Sequence, residues 1–205
     1  MRGLIGRKIG MTRVFNSNGH SIPVTVLEVG PCYVTQVKTV KNDGYNAVQL
    51  GFLDRDKKHT TKPLEGHFKK SNVSPTKVLA EFKSVPKFDY KPGQIFNVSF
   101  FSEGDFVNVS GKSKGRGFSG TIKKYSFSTQ RKTHGQGDTH RHVGSIGAAS
   151  DPSRVFPGKK MPGRYGNKVV SVKDLEVINV NESKNQLLVK GSVPGARNGI
   201  VYITK

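Results

Sequence analysis

The chain has 205 residues, 34 Lys and Arg against 14 Asp and Glu, and a formal net charge of +20. Solubility needs far less charge than this, and self-repulsion at such density is relieved by an extended acidic partner, nucleic acid before any other. No run approaches the roughly 20 apolar residues of a membrane helix, the N-terminal MRGLIGRKIGMT has no secretory apolar core, and the single cysteine excludes an internal disulfide or a site built of several thiolates.

The expectation is a cytoplasmic protein without a membrane partner; a basic peripheral membrane protein would need a long cationic amphipathic helix, and none is evident. With 34% hydrophobic residues, no Trp, 24 Gly and 10 Pro, the core should be smaller than the length suggests. A compact core plus unpacked chain is expected.

At the N-terminus Arg2, Arg7, Lys8 and Arg13 cluster with glycines, reading either as a second phosphate contact, with Arg7 and Lys8 as candidates, or as a solvated basic end. Runs rich in Val, Ile, Phe, Tyr and Thr then predict strands at 21–29, 33–40, 44–50, 94–101, 106–109, 169–180, 186–190 and 200–204. Cys32, between Pro31 and Tyr33, reads as a buried, inert thiol. The mixed charges of 54–58 read as a solvated turn.

Helix is expected only between about 62 and 84. Leu64 and Phe68 stand at i and i+4 ahead of Lys69 and Lys70, and Ser74-Pro75 resembles a cap followed by proline, with Val78, Leu79 and Phe82 on one face of a helix at 75–83. These pieces form a small α+β insertion at about 42–90. Turn residues fill 181–185 and 193–199, and short strands at this spacing favour a mainly β chain, a closed or nearly closed antiparallel barrel made of 1–110 and 169–205. No long repeat argues for a solenoid.

Residues 111–168 differ from the rest. They hold 13 Lys and Arg, two acids, three His and 11 Gly, a net of +11 in 58 residues, while their apolar residues are isolated. Such a segment builds no core of its own, and a loop of this length is expected only where it is functional. In Gly111–Lys124 the glycines let backbone approach phosphates, and Lys112, Lys114, Arg116, Lys123 and Lys124 neutralise them. Phe118 and Tyr125 suit stacking on unpaired bases. A Walker loop needs four residues between its first glycine and Gly-Lys-Ser, and here Val107-Asn-Val-Ser is preceded by no glycine, so NTP hydrolysis is a weak reading; a flexible basic linker is the plainer alternative.

Farther along, Arg131, Lys132, His134, His140, Arg141 and His142 come within a dozen residues. His-x-His with Asp138 suggests a metal, but the spacing matches no strong motif and the flanking cations oppose a dication, so no metal and no cofactor are expected. Histidine contact with phosphate and base is more economical than acid–base chemistry, for which paired groups are not evident. The stretch 154–168 repeats the mixture with Arg154, Lys159, Lys160, Arg164, Tyr165 and Lys168, and with Pro157 and Pro162 lowering the ordering entropy. As one hairpin-like excursion, each arm would reach at most roughly 95 Å.

Several segments resemble the bacterial large-subunit ribosomal protein L3 family: Gly3-Leu-Ile-Gly-Arg-Lys-Ile-Gly-Met-Thr12, Phe106-Val-Asn-Val-Ser-Gly-Lys-Ser-Lys-Gly-Arg-Gly-Phe-Ser-Gly120, His134-Gly135 with Gly144-Ser-Ile-Gly147, Gly158-Lys-Lys-Met-Pro-Gly163, and the ending Leu187–Gly195. The resemblance spans essentially the whole chain. It implies a barrel of the translation-protein type, direct binding of large-subunit (23S) rRNA near its 3′ end, an early role in subunit assembly, an extension toward the peptidyl transferase centre, and contacts with neighbouring large-subunit proteins rather than a homo-oligomer. Two departures stand out. Lys124 replaces the usual arginine of the central signature, and Ala148 occupies the place of a glutamine methylated in some members, so that modification is not expected.

The reading is therefore a structural rRNA-binding protein of the large subunit and not an enzyme. An RNA-processing or RNA-modifying factor using the loop histidines, and a nucleoid-type DNA-binding protein, are the alternatives.

Overall fold

The computed structural model describes residues 2–84 and 89–205. The 85–88 portion of the expected insertion lies outside the described residues. The chain forms two compact units, one made of residues up to Ser113 together with Val169–Lys205, the other of Lys114–Lys168.

The strands in chain order are β1 (Gly3–Phe15), β2 (Ser21–Val29), β3 (Cys32–Lys38), β4 (Ala47–Asp54), β5 (Thr76–Lys83) and β6 (Ile95–Phe96). They continue with β7 (Phe106–Lys112), β8 (Gly117–Ser119), β9 (Gly163–Tyr165), β10 (Val169–Asn181), β11 (Gln186–Lys190) and β12 (Ile200–Thr204). The helices are α1 (Val40–Asp43), α2 (Lys62–Ser71) and α3 (Thr121–Tyr125). The chain is mainly β, as its Val-, Ile- and Thr-rich runs require.

In the first unit, hydrogen bonds close β1, β12, β7, β10, β11 and β2, in that order, into an antiparallel barrel. The N-terminal residues that read as a basic cluster are in fact a strand paired on both sides, with Gly3 opposite Thr204 and Gly6 opposite both Val201 and Val29. The glycines serve packing there. A Cβ on Gly3 would collide with the Ile203 carbonyl, and one on Gly6 would lie 2.9 Å from the Glu28 carbonyl oxygen.

A second sheet, ordered β5-β4-β3-β6, shares one apolar cluster with the barrel. Successive strand residues point to opposite faces, yet the neighbours Leu4 and Ile5 are both fully buried. Strand β1 is therefore covered on both sides. Cys32 sits at this junction, its thiol 3.4 Å from the Ile5 carbonyl, and burial pushes its pKa up to about 12. That value keeps it protonated and inert.

The local differences from expectation have simple causes. Residues 75–83 are not a helix: Thr76–Lys83 is strand β5, in continuous register with β4 from Lys83 opposite Ala47 to Thr76 opposite Asp54. Three apolar residues in so short a window fit either period, and a ready partner strand decides the outcome. The Pro75 carbonyl accepts from the Arg55 amide instead of starting a helix. The 94–101 run is strand only at Ile95–Phe96; Val98–Phe100 is a 3₁₀ turn that buries Val98 and Phe101. The expected helix around Leu64 and Phe68 is α2, which buries Phe68 and stops at Asn72 in the left-handed conformation.

The second unit pairs β8 with β9, Phe118 lying opposite Arg164, and adds the short α3. Residues 126–162 form no helix or strand. Gly166, at a positive φ of 70°, packs against the Lys114 carbonyl where a Cβ has no space.

Two outcomes follow. Gly3→Ala should lower stability by about 1–3 kcal/mol, the usual range for overpacking, read as a lower urea midpoint at unchanged slope. Asp105 accepts from Lys205 Nζ at 2.6 Å and the Ser102 amide at 2.9 Å, and these bonds hold its carboxyl below the ordinary value of 3.8. A depressed carboxylate stabilises the fold above its unfolded pKa, and that contribution is lost as pH falls through the folded value. Asp105→Asn should thus be less stable than the parent at neutral pH, with the gap closing below about pH 4, as thermal melts across pH would record.

Candidate nucleic-acid interface

The second unit carries twelve Lys and Arg with only Asp138 and Asp151 as acids. Its cations meet solvent: Lys114, Arg116, Lys123, Arg131, Lys132, Arg141, Arg154, Lys159, Lys160, Arg164 and Lys168 are exposed, and Lys124 is half-buried. The ion pairs Arg7–Glu28, Lys38–Glu81, Lys69–Glu65, Lys190–Glu176 and Lys205–Asp105 all belong to the first unit. The acids are used where the core is.

The aromatic candidates separate by environment. Phe118, on β8, is 81% exposed, an unusual place for a phenyl ring in a paired strand, and Tyr165 on β9 is also exposed. Tyr125, at the end of α3, is half-buried, with Lys124 Nζ 5.0 Å and Lys160 Nζ 5.8 Å from its ring centre. Cation–π attraction there groups two ammoniums around one ring, so Tyr125 organises charge more than it offers a free stacking face. Phe156, absent from the sequence-based candidates, is 58% exposed with the Arg154 guanidinium 5.7 Å from its ring. Its signal in the sequence was Arg-x-Phe-Pro-Gly, an aromatic beside a cation in a proline-stiffened stretch.

The three histidines do not converge on one task. His134 is exposed with φ of 61°, directly before Gly135 at 79°. His140 is half-buried, its Nδ1 3.0 Å from the Arg131 carbonyl, while its own carbonyl accepts from the Gln130 amide at 3.2 Å. These bonds close residues 130–140 into a loop. His142 is exposed. Among the described residues no three of His, Cys, Asp and Glu gather as a metal-holding group.

Three candidates lie in the first unit. Lys112 is exposed at the end of β7, opposite Val169. Arg7 donates from Nε at 2.9 Å and Nη2 at 2.6 Å to one Glu28 oxygen, and Lys8 Nζ donates to the Val193 carbonyl at 2.7 Å. Both heads fasten β1 within the protein.

Comparison with known proteins bears on this arrangement. A family model described as Ribosomal protein L3 matches residues 86–187. The large ribosomal subunit protein uL3 of Thermotoga maritima is 52% identical over 203 residues, which cover 99% of this chain and 96% of that protein. This chain belongs to the ribosomal protein L3 family. The uL3 of Thermotoga petrophila matches at the same 52%, and that of Petrotoga mobilis is 49% identical over 203 residues, covering 99% of this chain and 94% of its own. The L3 family is one of structural proteins, not enzymes, so the alternative of an RNA-processing centre at the loop histidines is set aside.

His140→Ala should open the loop it closes. The Gln130 amide should exchange faster and limited proteolysis should cut within 131–139, while the unfolding free energy of the barrel stays within about 0.5 kcal/mol of the parent, as for surface substitutions.

Proposed function

We propose that this protein is a structural constituent of the large ribosomal subunit in the bacterial cytoplasm, and that residues 112–168 are its principal contact with 23S rRNA. The observation that carries the reading is the division of charge. Acids pair with cations in the first unit, whereas the exposed cations of the second stand among only two acids. A segment so charged gains most from displacing the counterions of a phosphate backbone.

In this reading Lys112, Lys114, Arg116, Lys123, Lys124, Arg131, Lys132, Arg141, Arg154, Lys159, Lys160, Arg164 and Lys168 neutralise phosphates. His134 and His142 add contacts to phosphate and base, while His140 and Tyr125 hold the segment in shape. Arg7 and Lys8 contribute by securing strand β1 of the barrel. Likeness to the L3 family supports the finer features: a barrel of the translation-protein type, binding near the 3′ end of the RNA early in assembly, an extension toward the peptidyl transferase centre, and neighbouring ribosomal proteins against the globular part. The mechanism is the locking together of RNA segments, which calls for no metal, cofactor or second copy of the chain.

With about ten phosphates contacted, log K for large-subunit rRNA should fall against log salt with a slope of roughly −7 to −9. Deleting residues 125–160 should leave a folded barrel by circular dichroism and a much shallower slope; an unchanged slope would contradict the assignment. Equal affinity for duplex DNA would favour the nucleoid alternative instead.

A further inference from the structure

Within the second unit, Arg116, Phe118, Ser119, Thr121, Lys123 and Arg141 line a cleft of about 240 Å³. Three of the six are cations brought together from positions up to 25 residues apart, and no acid lines the cleft. The volume equals about eight waters at the roughly 30 Å³ each occupies in the liquid. That is below the 300–1,000 Å³ or so of pockets that enclose a whole small molecule, but enough for one link of a sugar–phosphate chain.

The floor is firm. Ser119 and Thr121 are buried, and Ser119 Oγ donates to the Arg116 carbonyl at 3.2 Å. At the rim stands Phe118, 81% exposed, with Arg164 directly across the β8–β9 ladder. Directly opposed residues share a face of the ribbon, so Arg164 stands on the same face of the ribbon as the ring. Packing does not account for leaving a phenyl ring in water there, and its neighbours are those that would receive an anionic chain bearing flat bases.

The geometry points to a single-nucleotide site: the cleft holds one phosphate of an RNA strand between Arg116, Lys123 and Arg141, and the attached base, out of its helix, stacks on Phe118. The site rests on the RNA-binding reading above and deepens it, turning one part of a diffuse electrostatic contact into recognition of an unpaired nucleotide. A base inside a duplex has both faces covered, so only a bulged, looped or terminal one can lie on the ring.

The test uses the full chain and a large-subunit rRNA transcript across a salt series. Base–aromatic stacking makes Phe118→Ala weaken binding by roughly 5- to 150-fold without changing the salt slope, because no phosphate contact is lost. Phe118→Tyr should restore affinity, and Phe118→Leu, which keeps apolar bulk but no aromatic face, should not. Arg116→Gln with Arg141→Gln should instead flatten the slope by about 0.7 per lost contact.

Steep, salt-dependent binding that Phe118→Ala leaves untouched, or that Phe118→Leu restores as well as Phe118→Tyr, overturns the nucleotide site while the RNA-binding reading stands. A parent protein that fails to bind the transcript overturns both. An acidic protein segment is the other ligand such a cleft would accept; displacement of the RNA by polyglutamate from the parent but not from Phe118→Ala would overturn the site in its favour. Phe118 lies outside the core, so circular dichroism of each variant should match the parent.

Discussion

The pairing of β7 with β10 is the constraint on which the rest depends. Lys112 opposite Val169 and Gly111 opposite Val170 bring the two ends of a long glycine-rich segment side by side. Closing a loop of such length carries an entropic cost that grows only slowly with the number of residues, and the two strands that close it are themselves held in a barrel completed by β12, β1, β2 and β11. Both arms of the basic segment therefore leave from one fixed place. A tail tethered at one end would lose far more freedom on binding.

Electrostatics follows the same division. A net +20 concentrated around an apolar core would repel itself, and the first unit limits this by pairing cations with the few acids available, Arg7 with Glu28 and Lys38 with Glu81 among them. Lys38 also donates to the Tyr45 hydroxyl, which in turn donates to Glu81 at 2.9 Å. These bonds raise the Lys38 pKa and lower that of Glu81, keeping both charged at neutral pH. In the second unit cations also gather around aromatic rings, as at Tyr125 and Phe156. That arrangement tolerates positive charge without cancelling it.

Much of the fold was legible where structure is local. The runs at 21–29, 186–190 and 200–204 coincide with β2, β11 and β12, because β-branched residues between turn formers specify extended chain with little help from elsewhere. Where the pattern was short, neighbours decided: β5 is a strand because β4 offers its full length as a partner. Gly3 and Gly6 stood in the sequence only as part of a basic N-terminal cluster and are close-packing positions, since a glycine does not state whether backbone or ligand will come near it. Among the histidines, only the fold separates His140, engaged with the Arg131 carbonyl, from the exposed His134 and His142.

The sequence by itself determined where the charge and the glycine lie, because both are properties of a segment whatever its conformation. Strand character was determined likewise, wherever side-chain sterics act within a few residues. Tertiary structure alone decided the order of strands around the barrel, the burial of Leu4 and Ile5 on both faces of β1, and which cations are spent inside the protein. It alone gathered Arg116, Lys123 and Arg141 at one cleft beside Phe118. These are relations between residues far apart in the chain, and they exist only once the backbone has closed on itself.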